Sequence, residues 1–178
     1  MTTDSPPSVP DPARFRALMA RWATGVSVVT ARDADGDAGL TVNAFLSVSL
    51  APPSVLVSLS ADADTVPVVE RSGHFGLSVL AADQQEVSER FARTLPRAEK
   101  FVGLALHRGP AGSPLLDGAL AALECRVARR IAAFDHVLVV GEVGYLEFGP
   151  DRPPLLFFRS GYGTADGAGT IRLPPSRA

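Results

Sequence analysis

Between Thr41 and Leu50 the chain reads TVNAFLSVSL. Side chains alternate faces along a strand. An extended run would therefore put Thr41, Asn43, Phe45, Ser47 and Ser49 on one side and Val42, Ala44, Leu46, Val48 and Leu50 on the other. The second face is apolar and belongs in a core. The first carries hydroxyls, an amide and one ring but no charge, where a solvent face ordinarily carries Lys, Glu and Arg. Small neutral donors and acceptors around an aromatic ring suit a flat polar heterocycle and a phosphate met at close range. They also suit a strand covered by another segment, with its hydroxyls bonded to backbone, and the pattern alone favours that covered strand.

Other residues with chemical potential are few. Asp64 and Thr65 stand before an apolar, helix-like segment, Val66–Arg71, closed by Ser72 and Gly73. Either residue can cap that helix, and the free N–H groups of a helix start also attract phosphate. His74 and His107 have no distinctive surroundings, whereas His136 follows Asp135 at a bend between two long strands. An Asp-His pair there closes a turn in the simplest reading. Loop tips on rigid scaffolds are also where sites gather, so His136 is the best catalytic candidate. Cys125, between Glu124 and Arg126, reads as a packed small hydrophobe. There is no nucleophile elbow, Walker loop or H-E-x-x-H, and Gly161-x-Gly163 lacks the third glycine of a dinucleotide fingerprint.

A chain of 178 residues is expected to form one domain with a substantial core. With 46% hydrophobic and 20% charged residues it reads as soluble and globular. A formal charge of −2 and the lack of any basic run argue against a nucleic-acid surface. One cysteine permits no internal disulfide, and the three histidines offer no metal-ligand spacing. Neither a signal peptide nor a bilayer-length apolar run is evident, which predicts a cytoplasmic protein.

The elements that must position these residues follow in order. Residues 1–10 read as a flexible Pro/Ser-rich arm. Asp11 looks like an N-cap with Pro12 at the first helical position. Phe15, Leu18, Met19 and Trp22 then form one helical stripe, expected to pack in the core, and Gly25 ends the helix. Strands are expected at 26–31, through Thr41, and at 55–59, with a hairpin turn at Asp33–Gly36 and a stop at Pro52 and Pro53. A strand at 74–80 precedes a helix opened by a capping box of Asp83 and Glu86 and ended by Pro96. Residues 98–118 read as loop. Long strands at 122–132 and 137–148, a short one at 155–158, and a flexible tail over 164–178 complete the chain. About seven strands with hairpin connections and three short helices predict a mainly β, antiparallel barrel rather than a parallel sheet.

In this order, the segments FRALMARWATGVSVVTA, GLTVNAFLSVSLAPP, SGHFGLSVLAADQQEVSERFA, GSPLLDGALAALECRV, DHVLVVGEV and PLLFFRSGY resemble the flavin reductase family. These are the small NAD(P)H-dependent reductases of two-component flavin monooxygenases. The resemblance spans roughly Asp11 to Tyr162 and implies a Greek-key split β-barrel over 11–163, with flavin near a homodimer interface. It implies an enzyme that passes hydride from NADH or NADPH to FMN or FAD and supplies a partner monooxygenase.

By position, the resemblance assigns Thr41, Val42, Asn43, Ala44, Ser47, Val48 and Ser49 to the flavin. Thr65 falls at a phosphate contact, where Ala63 replaces the first hydroxyl of the family's Ser-x-Thr pattern and Asp64 adds a negative charge. Arg90, Phe91 and Lys100 fall in the cofactor-edge helix and loop. Tyr162 matches an aromatic position after the last strand. His136 matches the histidine of a Gly-Asp-His associated with the nicotinamide; here Phe134 stands at the glycine. A flavoprotein that keeps FMN and a non-catalytic split-barrel binding protein are the competing readings.

Overall fold

In a computed structural model the described residues are 9–165 and 171–172. Most of the expected N-terminal arm and C-terminal tail lies outside them. Helix α1 (Pro12–Met19) is capped by the Asp11 carboxylate, which accepts from the N–H groups of Ala13 and Arg14 at 3.3 and 3.4 Å. It stops three residues before Trp22, and β1 (Thr24–Gly25) follows. The α1 stripe is not in the core: Phe15, Leu18 and Trp22 are 60%, 63% and 71% exposed. Among the described residues, nothing buries any side chain of that helix.

The barrel is a seven-stranded antiparallel sheet. Its strands are β2 (Ser27–Asp33), β3 (Gly36–Val42), β4 (Phe45–Leu50), β5 (Pro53–Ser60), β6 (His74–Val79), β9 (Ala121–Ala133) and β10 (His136–Phe148), in spatial order β3-β2-β6-β9-β10-β5-β4. Between β6 and β9 lie α3 (Gln85–Ala92), α4 (Arg97–Phe101) and a small hairpin, β7 (Leu106–Arg108) with β8 (Pro114–Leu116). About half of the stretch expected to be loop is therefore helix or strand. A second sheet pairs β1, β11 (Leu155–Phe158), β12 (Gly161–Ala165) and β13 (Ile171–Arg172). Helix α2 (Val66–Ser72) ends at Gly73, whose φ of 69° is a conformation that glycine adopts without a Cβ clash.

The run Thr41–Leu50 is not one strand. β3 ends at Val42, β4 begins at Phe45, and Asn43–Ala44 forms a break between them. These two strands are the opposite edges of the sheet, so the chain crosses the barrel's seam at the break, where the Ala44 carbonyl accepts from Ser58 N–H at 3.0 Å. The face expected in the core is only partly there. Val42 is buried, but Leu46, Val48 and Leu50 on edge strand β4 are 51%, 49% and 89% exposed.

Strand β2 is buried on both faces. Val29 and Ala31 enter the barrel core with Val57, Leu59, Phe75, Leu77, Cys125 and Val139. Val26 and Val28 enter a second cluster with Leu80, Phe91, Leu116 and Leu155. A strand covered on both sides reads as a continuous apolar run, and VSVV does. Asp33 and Asp37 flank the β2–β3 turn and anchor what surrounds it. Asp33 accepts from Arg71 of α2 and Arg97 of α4, and Asp37 accepts from Arg32 and Arg108.

The expected capping box is displaced. Ala82–Gln84 forms a 3-10 turn ahead of α3, the Gln84 side chain accepts from Ala81 N–H at 3.0 Å, and Asp83 instead pairs with Arg152. Thr65 stands at the N-cap of α2, but no side-chain hydrogen bond caps that helix.

Candidate functional site

The second apolar cluster supports a groove along the seam. Thr41, Asn43 and Tyr162 line a cavity of about 170 Å³ with Val26, Ala92 and Phe157. Ala92 is shared with a cleft of about 380 Å³ lined by Leu40, Asp62–Asp64, Phe91, Arg93–Leu95 and Lys100. Asn43 is shared with a third hollow that reaches Trp22, Thr24, Ser27 and Phe45. The three are neighbours along the seam, with Asn43 and Ala92 each lining two of them.

Hydrogen bonds tie the centre together. The Thr41 hydroxyl donates to the Ser88 carbonyl at 2.6 Å, and the Ser88 and Tyr162 hydroxyls lie 2.8 Å apart. The Tyr162 ring meets Phe157 edge to face, with centroids 5.4 Å apart. Because Thr41's proton is committed to backbone, its oxygen can only accept from a ligand, whereas Asn43 offers both a donor and an acceptor. Ser88, the hub of this network, is a fully buried residue with no distinguishing motif. The usable signal was its helical spacing: Ser88, Phe91 and Ala92 are i, i+3 and i+4 on α3.

The cleft beyond Ala92 is built round Lys100, only 5% exposed. Its Nζ donates to the Gly39 carbonyl at 3.1 Å and lies 4.0 Å from Asp64 Oδ1. An ammonium has three donors, so a buried cation on this wall retains capacity for an anion. Gly39 permits the arrangement: a Cβ there would sit 2.7 Å from the Phe91 ring. Phe91 is buried and stacks edgewise on Phe101.

The other site residues from the sequence fall elsewhere. Arg90 donates to the Val102 carbonyl at 2.8 Å in an acidic cleft with Glu86, Glu89 and Glu99, which shares Arg93 and Leu95 with the Lys100 cleft. Thr65 is fully buried, with its hydroxyl beside Asp64. Ala44, Ser47 and Val48 are exposed and Ser49 is half-buried, all along the open seam and edge strand β4. His136 opens β10, paired in register with Ser60, and its Nδ1 is 2.8 Å from Asp135 Oδ1. That hydrogen bond and the imidazole's charge hold the Asp135 carboxyl below its ordinary value. The same turn is fastened to the cleft wall, since Ala61 N–H donates to the Asp135 carbonyl at 2.9 Å and Asp62 lines the cleft.

Two residues outside the groove need comment. Cys125 is buried and its thiol is pushed up to about 12, first by burial and then by the charge of Glu124. His107 does have distinctive surroundings: Asp117 lies 2.7 Å from Nδ1 and Glu147 3.0 Å from Nε2.

A small antiparallel barrel with a neutral polar slot at its seam and a buried cation at one end defines a split-barrel, flavin-binding class of protein. Residues 19–166 match the flavin reductase like domain, and the chain belongs to this family of flavin-reducing oxidoreductases. It is 41% identical over 148 residues to the reductase component of 4-hydroxyphenylacetate 3-monooxygenase from Thermus thermophilus, covering 83% of this chain and 93% of that protein. An NADH-dependent flavin reductase of a Rhodococcus species is 40% identical over 154 residues, 85% of each chain. Among solved structures, the NADH:FAD oxidoreductase of Streptomyces globisporus in complex with NAD and FAD fragments superposes with a TM-score of 0.80. It is 33% identical, covering 85% of this chain and 91% of that one.

Proposed function

We propose that this chain transfers hydride from NADH or NADPH to FAD or FMN and releases the reduced flavin to a partner monooxygenase. The observation that carries the reading is the pair of neighbouring hollows that share Ala92, one neutral and hydrogen-bonding at Thr41, Asn43 and Tyr162, the other cationic at Lys100. A flavin's ring system and phosphate need that sequence of surroundings, and the residues present fit it. The cofactors supply the hydride chemistry, from nicotinamide C4 to flavin N5.

The chain's own part is orientation. Thr41 accepts from, and Asn43 both donates to and accepts from, the heterocycle's edge. Tyr162, braced by Ser88 and Phe157, walls the slot. Ala44, Ser47, Val48 and Ser49 continue the contact along the open seam, Val42 contributes through its backbone, Lys100 and Phe91 form the phosphate end, and Thr65 and Arg90 support it from behind. His136 holds the nicotinamide at the rim and helps to bring the two reacting atoms within about 3–3.5 Å.

The functional unit is a homodimer. Trp22, Leu46, Val48 and Leu50 lie beside the seam and are exposed, so a second copy would close the groove and bury them together. Drawing on soluble nicotinamide cofactor, the protein works in the cytoplasm; among the described residues no helix is long and apolar enough to cross a membrane.

The test is oxidation of NADH and NADPH, followed by nicotinamide absorbance, with FMN or FAD in excess. Turnover that saturates with free flavin is the expected result and selects both cofactors. A folded protein that oxidises neither nucleotide with either flavin would overturn the reading.

A further inference from the structure

The tip of the β9–β10 hairpin carries two unfavourable features in one residue. Ala133 and His136 are its closing pair, so Phe134 and Asp135 form a two-residue turn. Phe134 has a φ of 58°, and Asp135 has no positive φ. Positive φ at the first central position alone is the pattern of a turn in which glycine is the ordinary occupant. A side chain with a Cβ is strained there whatever its size. The ring is also fully exposed, at 107% of its reference area. Both strain and a bare phenyl ring would vanish with glycine, so neither serves the fold. Strain of this kind gathers where a ligand is held.

The position of the tip says which ligand. The Asp135 carbonyl is bonded to Ala61 N–H, the His136 backbone pairs with Ser60, and the next residues, Asp62–Asp64, form the wall of the Lys100 cleft. The hairpin tip that carries the ring therefore stands next to the segment that walls the candidate groove. A flat, rigid hydrocarbon face at the mouth of a polar cleft suits another planar ring arriving from solvent.

We propose that Phe134 is a specificity-determining residue that stacks on a planar base of the incoming nicotinamide cofactor, holding it at the groove before hydride transfer. The inference rests on the flavin reductase reading and adds to it a residue whose strained, exposed position the fold does not require. Phe134 takes no part in the chemistry. Its contribution belongs to nucleotide binding and not to flavin binding.

The experiment uses the full chain with F134G, F134A and F134W. Base–aromatic stacking is strong enough that losing it should raise the KM for NADH, and the dissociation constant for NAD+ by calorimetry, by roughly tenfold. In F134G and F134A, kcat and the flavin dissociation constant should stay at wild-type values, and F134W should restore nucleotide binding. F134G alone should melt higher than wild type, because it relieves the strained φ that alanine retains. Gain of stability together with loss of nucleotide affinity is a pairing that a purely structural role would not produce. Nucleotide affinity within twofold of wild type in both F134G and F134A would overturn the proposal. So would an equal loss of flavin affinity, or a change of oligomeric mass in F134A, which would make the ring a packing residue. If wild type fails to oxidise NADH while F134G still weakens NAD+ binding, the reductase reading falls and the stacking role stands.

Discussion

Gly39→Ala is the substitution that most directly connects packing to the groove. The new Cβ would lie 2.7 Å from Phe91 Cε1, 3.0 Å from Cδ1 and 3.1 Å from the Val29 carbonyl oxygen. Val29 belongs to β2, which is paired on both sides and does not give way easily, so the Phe91 ring must retreat until it reaches the 3.4 Å at which ordinary contact begins. Phe91 is wedged against Phe101 and belongs to α3, so the helix moves with it. Ser88 and Ala92 on that helix hold Thr41 and Tyr162 and join the two cavities. Overpacking of this kind costs about 1–3 kcal/mol, and a displacement approaching 1 Å at a binding site can cost up to about 100-fold. Urea unfolding should show the first effect, and a rise in flavin KM with only a small fall in kcat should show the second. The decisive comparison is the double-mutant cycle with Phe91→Leu, which removes the offending ring edge. If the two stability losses simply add, within about 0.5 kcal/mol, the Gly39–Phe91 contact is not what the alanine disturbs.

Glu124→Gln should destabilise the chain by about 1.5–3 kcal/mol in urea unfolding, the range for a hydrogen bond to a charged group. The buried carboxylate accepts from Ala111 and Ser113 N–H at 2.6 and 2.8 Å, and an amide can accept only one of them; a loss near zero would refute the clamp. His107 is held above 6.5, first by its hydrogen bond to Asp117, against burial, with Glu147 adding to the effect. A raised folded value stabilises fully below 6.5 and progressively less as pH rises through it. His107→Gln should therefore flatten that decline, and an unchanged profile would remove His107 as its source. The Cys125 thiol, pushed up to about 12, should resist thiol reagents in the native state and react fully in denaturant.

Much of the fold was legible because its signals are local. The Asp33–Gly36 turn, the Asp11 cap and the paired long strands on either side of Phe134 are each announced by neighbours in sequence. The break at Asn43–Ala44 was not, because TVNAFLSVSL alternates without interruption; the kink comes from closing a barrel whose edge strands are consecutive in the chain. The outward stripe of α1 was misplaced for a similar reason. An amphipathic pattern shows that a face will be buried, not whether its own chain buries it. Within the site, Thr41, Asn43 and Tyr162 line one cavity. Ser88, Glu124 and His107 act through partners 10 to 74 residues away, and no local motif marks them.

The discontinuity between β3 and β4 divides labour within the molecule. Strands β2, β6, β9, β10 and β5 are each paired on both sides and carry the main core. The two edges and their joint are left beside the proposed ligand groove. Residues there can be exchanged, or a residue inserted between Asn43 and Ala44, without disturbing a ladder between two interior strands. A barrel closed all the way round would offer no such place. The incomplete seam is thus where relatives of this chain can diverge in what they bind while keeping one stable body.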